Sequence, residues 1–190
     1  MSHRFSLRAI RPRSKALAQG CVGLIAVAML CSACLVPPYP KDPRFATFTY
    51  ETDESVKVQE RVDSFNGRIP KLGATEGHVV VARFRDGSWI PAPDYQYWLT
   101  GVATVPDTTT TLLVDNSADG SSLLPGIHPI LYKYVPEECS FTTVDPTVAN
   151  TILGTDQNDI YSEWGSFTIT KFAVSADCNL IIVTGDGINA

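Results

Sequence analysis

The run Asp115-Asn116-Ser117-Ala118-Asp119-Gly120 sets oxygen-bearing side chains at alternate places and a glycine at the sixth, as a calcium loop begins. The twelfth place, where such a loop needs a bidentate glutamate, is Gly126. A turn whose Asp and Asn bond their own backbone accounts for the same letters, and Asp115 and Asp119 stay as a weak calcium candidate. His78 and His128 stand singly, so no pair of His or Cys has zinc-ligand spacing. No G-x-S-x-G nucleophile elbow occurs, although a triad can assemble from scattered residues. Acids adjoin at Asp53-Glu54, at Glu137-Glu138 and around Asp156 and Asp159. Strand neighbours point to opposite faces, so adjacency does not make an acid–base couple; glycoside cleavage needs carboxylates across a cleft. These residues call for no catalytic assignment, metal or cofactor.

Aromatic residues are a better lead. In "PDYQYWLTG" a strand sets Tyr95, Tyr97 and Leu99 on one face and Gln96 and Trp98 on the other. If one face is core, Trp98 with Gln96 forms a candidate platform for a sugar or peptide. Core packing of both faces is the competing reading, and Trp89 and Trp164 share that ambiguity.

The elements that must carry these residues read mostly as strands. Period-two patterns occur in "FATFTYET", "YQYWLTGVATV", "TTTTLLV", "IHPILYKYV", "SFTTV", "GSFTITKFAV" and "LIIVTG". "HVVVARFRDGSWIPA" puts an Asp86-Gly87 turn between two β-prone arms, a hairpin signal. "DNSADGSS" and "SADCN" read as turns. A helix over residues 54–65, ended by Asn66-Gly67, competes with a strand through Val56 and Val58. In "DPTVANTILG", Asp145 caps, Pro146 opens and Gly154 closes a short helix. The expected fold is mainly β: an antiparallel β-sandwich or open barrel with one or two short helices.

Upstream of this domain the chain is of another kind. Arg4, Arg8, Arg11, Arg13 and Lys15 precede an apolar run over residues 16–30 and the small residues Cys31, Ser32 and Ala33. That is the layout of a secretory signal over residues 1–33. Read on to Val36, the run is also long enough for an uncleaved anchor. Cleavage after Ala33 makes Cys34 the first residue, and "LVPPYPKDP" then reads as an extended, proline-rich stalk over residues 34–44. Residues 45–190 form one β-rich domain. Its two cysteines, Cys139 and Cys178, pair as a disulfide in an oxidising compartment.

Residues 30–34 resemble the lipobox of bacterial lipoproteins, where a cysteine directly after small residues carries a diacylglyceryl group. That family prefers leucine at the third position before the cysteine; here Cys31 stands there and Leu30 one place earlier. The resemblance implies lipid on Cys34, attachment to a membrane through it, and a place in the cell envelope. Leu35 after the cysteine resembles members sorted to the outer membrane or cell surface. A plain secretory signal, with no role for Cys34, is the alternative. More thinly, Asp86-Gly87-Ser88-Trp89, "IYSEWGSFTITKF" and Thr184-Gly185 resemble a group of bacterial surface lipoproteins with one β-sandwich domain. That likeness implies architecture and no catalytic residues.

Loss of residues 1–33 leaves 10 of the 15 basic residues against all 20 acids, a net charge near −10. From residue 87 onward only Lys133 and Lys171 oppose twelve acids. Such a surface repels nucleic acid, which is held by Lys and Arg that displace counterions. The expected function is a non-enzymatic binding or interaction module of the cell envelope, for an unidentified envelope protein or glycan. An envelope hydrolase and a structural subunit of an envelope assembly are the alternatives.

Overall fold

The computed structural model describes residues 41–85, 94–117, 123–157 and 160–189, all within the unit Tyr39–Ala190. Residues 1–33, expected to be a signal, Cys34, the Asp86-Gly87 turn, Trp89, Asp119 and Asp159 lie outside the described residues. Among those described, no helix is long and apolar enough to cross a membrane.

The elements follow in the order β1 (Gln59–Glu60), α1 (Asp63–Asn66), β2 (Glu76–Arg83), β3 (Tyr95–Thr104), α2 (Asp107–Asp115), a 3-10 helix (Pro129–Tyr134), β4 (Thr142–Val144), α3 (Pro146–Leu153), a 3-10 turn (Thr155–Gln157), β5 (Ser166–Ser175) and β6 (Leu180–Asn189). The chain is mainly β. Six strands make one open antiparallel sheet in the order β1-β2-β3-β6-β5-β4, with β1 and β4 as its edges.

Alternation along the central strands sends side chains into two separate cores. On the first face Val79, Leu99, Phe172 and Val183 pack beneath Phe65, Ile69, Leu113 and Leu153, carried by the helices and the turn after α1. On the second, Val80, Trp98, Val102 and Ile182 pack against Phe45, Ile127, Leu131 and Val135. The middle of β3 is therefore buried on both sides, which fixes its register, because a one-residue slip would exchange the two cores.

β2 pairs with β3 from Glu76↔Thr104 to Arg83↔Tyr97, and the Phe84 N–H donates to the Gln96 carbonyl (3.2 Å). The strand that pairs with β2 on this side is thus residues 95–104; the Asp86-Gly87 turn and the residues directly after it lie outside the described residues.

Three expected strands take other forms. Residues 45–52 form no ladder strand: Phe45 makes an isolated bridge with Leu124 outside the sheet, and the Glu51 carbonyl accepts from the Arg85 N–H just past β2 (3.1 Å). From Thr47 to Tyr50 their alternation is real, since Phe48 and Tyr50 pack inward while Thr47 and Thr49 face out; Phe45, also inward, is out of phase with it. "TTTTLLV" lies in α2, where Thr110 and Leu113, three apart, are buried and the Thr110 hydroxyl donates to the Asp107 carbonyl (3.0 Å). A threonine satisfied within its own helix carries little of the strand preference its β-branching suggests. "IHPILYKYV" contains the 3-10 helix: Pro129 presets its φ, and His128 Nδ1 accepts from the Ile130 N–H (3.4 Å).

Within residues 54–65 the expected long helix shrinks to α1. β1 occupies part of its span, and Val56 and Val58 pack against the second core. α3 forms as its letters dictate. Asp145 Oδ1 accepts from the N–H groups of Thr147 and Val148 (2.8 and 3.4 Å), and Gly154 closes the helix at φ 77°. Asn179 takes φ 54° in the β5–β6 turn, a conformation asparagine tolerates. The Cys139–Cys178 disulfide forms, with a Cα–Cα distance of 5.8 Å, and ties the approach to β4 to that turn.

Candidate functional site

At one end of the first face, β2 and β3 carry Arg83, Tyr95 and Tyr97 to the rim of a cleft of about 260 Å³. Arg61, from the link between β1 and α1, Arg68, just past α1, and Trp164, before β5, complete its aromatic and cationic lining. Gly67 lets the indole lie close, since a Cβ there would meet the Trp164 ring at 2.5 Å.

The Arg68 guanidinium sits 5.0 Å from the Tyr97 ring centroid and 4.9 Å from that of Trp164. Its Nη1 donates to the Ser64 carbonyl and hydroxyl (3.1 and 2.9 Å), and its Nε donates to the Tyr97 hydroxyl (3.2 Å). That hydroxyl lies 3.2 and 3.0 Å from the carbonyl oxygens of Trp164 and Ser166. Burial pushes the Tyr97 hydroxyl above its ordinary pKa, with the Arg68 charge opposing, so it remains a donor at neutral pH. Hydrogen bonds to Ser64 and Tyr97 thereby hold the guanidinium over both rings.

The other two arginines are differently engaged. Arg83 lies over the Tyr95 ring at 4.1 Å, with its Nε 3.9 Å from Glu54 Oε1. Arg61 lies 5.8 Å from the Trp164 ring and donates to Asp63 through Nε (3.1 Å) and Nη2 (2.5 Å). Side-chain hydrogen bonding to Arg61 lowers the Asp63 pKa, with burial opposing and the Arg61 charge adding. Of the five arginines after residue 33, three line this cleft. It is a concentration of positive charge in an acidic chain, built with flat rings that accept cations and ligands alike.

Of the residues weighed from sequence alone, Glu54, Tyr95, Tyr97 and Trp164 line this cleft, while the Trp98–Gln96 platform, Asp115 and the histidines lie elsewhere. Trp98 and Gln96 face away from Tyr95 and Tyr97. Gln96 is exposed, but Trp98 is 0 % exposed, edge-on to Phe48 at 5.3 Å and parallel to the His128 ring at 6.2 Å. A ring enclosed in this way offers no open face, so the Trp98–Gln96 platform is corrected to core packing at Trp98. Asp115 ends α2 and is exposed; its calcium partner Asp119 is not described. Among the described residues no three His, Cys, Asp or Glu side chains cluster as a metal site. Asp53 bonds Arg85 (2.7 Å), and Glu54 faces Arg83, so this acid pair serves cations rather than each other. His78 stacks on Tyr134 at 3.6 Å.

His128 yields a pH prediction. Burial holds its imidazole below the ordinary 6.5, so the folded state resists protonation. Its share of stability is complete above pH 6.5 and is lost as pH falls through the lower folded value. Urea midpoints should therefore fall between about pH 7 and about pH 5, and His128→Asn, which keeps an acceptor for the Ile130 N–H, should flatten that limb. Asp186 acts in the opposite sense. Burial raises its carboxyl, with the Tyr50 hydrogen bond opposing, so its share is present below 3.8 and lost as pH rises through the raised value. An unchanged pH slope in His128→Asn would refute the assignment.

The fold and the cleft together define a mainly β domain with an arginine–aromatic cleft. The chain matches no protein-family model, no curated protein and no solved structure.

Proposed function

We propose that this protein is a non-enzymatic binding module of the cell envelope, tethered by lipid on Cys34 and held off the membrane by residues 34–44. Residues 1–33 direct its export, and the domain faces the extracytoplasmic side, at the outer membrane or cell surface. The basic head, the apolar run and the small residues before Cys34 support export, and a disulfide suits an oxidising compartment. The observation that carries the binding role is the preformed stack of Arg68 between Tyr97 and Trp164. Its hydrogen bonds are already made, so little ordering cost remains for a ligand to offset.

Two measurements test the two halves of this reading. Fractionated cells should hold the wild-type protein in membranes and release Cys34→Ala to the soluble extracytoplasmic fraction; full membrane retention of the variant contradicts the lipid tether. Saturation-transfer NMR against a panel of neutral, cationic and anionic ring fragments should find binders that Trp164→Ala abolishes while its circular dichroism stays native. A panel without a single cleft binder defeats the binding role.

A further inference from the structure

We infer that the cleft takes a ring-borne carboxylate, with Arg83 receiving the carboxylate and Glu54 as the internal carboxylate that the ligand displaces. This rests on the binding role proposed above and names the chemistry it serves. The cleft is lined by Arg61, Arg68 and Arg83 against Glu54 alone among acids, so its wall is cationic while the chain is acidic. Its volume of about 260 Å³ is just under the roughly 300–1,000 Å³ of drug-sized sites, enough for one ring and its substituent. Tyr95 and Trp164 supply the flat faces on which that ring rests.

Glu54 marks where the charge goes. Its Oε2 accepts from the Arg83 backbone N–H at 3.3 Å, while its Oε1 stays 3.9 Å from Arg83 Nε, beyond hydrogen-bonding distance. Both side chains are well exposed, at 60 % for Arg83 and 49 % for Glu54, and exposed pairs of this kind hold weakly. A carboxylate thus already stands beside Arg83 in a loose contact that an incoming one with better geometry can replace. Arginine suits that exchange because its planar fork accommodates a carboxylate by two parallel bonds. Arg83 is meanwhile kept over the Tyr95 ring at 4.1 Å, so the charge and the ring face are presented together.

The ring acid can be a free aromatic acid or an acidic sugar, and the test separates them. Titration calorimetry on the full-length chain uses benzoate and glucuronate, with benzyl alcohol and glucose as neutral counterparts. At least one acid should bind tenfold or more tightly than its neutral counterpart, benzoate indicating a free aromatic acid and glucuronate an acidic sugar. Arg83→Gln should weaken that acid tenfold or more, whereas Glu54→Gln should strengthen it severalfold by removing the competitor. A purely structural ion pair predicts parallel changes in the two variants, and that result overturns the inference. So does a neutral counterpart that binds as well as its acid, which leaves the binding role standing. Failure of all four probes to bind, with the fragment panel also empty, overturns both.

Discussion

Trp98→Ala lowers folding stability by about 3–5 kcal/mol, the range for emptying a large aromatic site in a core. Trp98 is 0 % exposed on a strand with neighbours on both sides. Its indole meets Phe48 at 5.3 Å, Tyr50 at 6.1 Å and His128 at 6.2 Å. Those rings come from extended chain and from the residue that caps a 3-10 helix, so removing the indole loosens what covers the whole second face. Trp98→Phe separates volume from polarity. Among the described residues the indole Nε1–H is buried without a hydrogen-bond partner, a state that costs about 1–3 kcal/mol. Phenylalanine removes that unmet donor while keeping a ring, so its loss should be well under half that of alanine. Urea denaturation followed by circular dichroism measures both. An alanine variant within 1 kcal/mol of wild type would mean that the ring layer is not packed as described.

The same residue shows how much of the fold can be read from letters. The alternation of "YQYWLTGVAT" specifies a strand and two faces, and both are present. It does not specify whether one face or two are covered, because that depends on where residues 45–58 and 127–135 pack. Alternation likewise identified the inward side of residues 47–50 without deciding whether they would join a ladder. Local chemistry was most informative where it was complete within a few residues: Asp145, Pro146 and Gly154 bound α3 without help from elsewhere. Threonine-rich α2 was opaque for the opposite reason, since burial of Thr110 and Leu113 against the first core decides its form.

The cleft was less legible than the fold. Arg61 and Arg68 lie near each other in sequence, but Arg83, Tyr95 and Trp164 are brought to them only by sheet register and by the loop before β5. The available signal was the charge distribution: residues 34–86 carry eight bases, while residues 87–190 carry two. With every arginine after residue 33 falling between residues 44 and 85, the domain has the means to build a single cationic site, although composition cannot show that three of them converge. Trp98 attracted notice for its neighbours in the strand; Trp164, in "SEWGS", had no pattern around it, and its role depends on the space left at Gly67.

Removing the disulfide is the other large perturbation. Cys139 and Cys178 are 39 residues apart, and closing a loop of about 40 residues restricts the unfolded chain by roughly 4 kcal/mol in the entropy model. The enclosed segment holds β4, α3 and β5. β4 is an edge strand paired only from Thr142↔Val174 to Val144↔Phe172, so few ladder bonds compensate when the tether goes. Part of the local geometry should persist, because the Ser140 N–H donates to Asp177 Oδ2 (3.1 Å) and Asp177 also accepts from the Ser175 hydroxyl. The double variant Cys139→Ser/Cys178→Ser is therefore expected to fold in the cold with a native far-ultraviolet spectrum yet lose about 3–4 kcal/mol in urea. Hydrogen exchange should locate the added opening at β4 and the β5–β6 turn, since a short edge opens before the doubly buried centre. A loss below 1 kcal/mol would show that the unfolded chain was already compact across this loop. Exchange that rises equally in β3 and β4 would place the disulfide's effect in global unfolding alone, contrary to the edge-pinning role assigned to it.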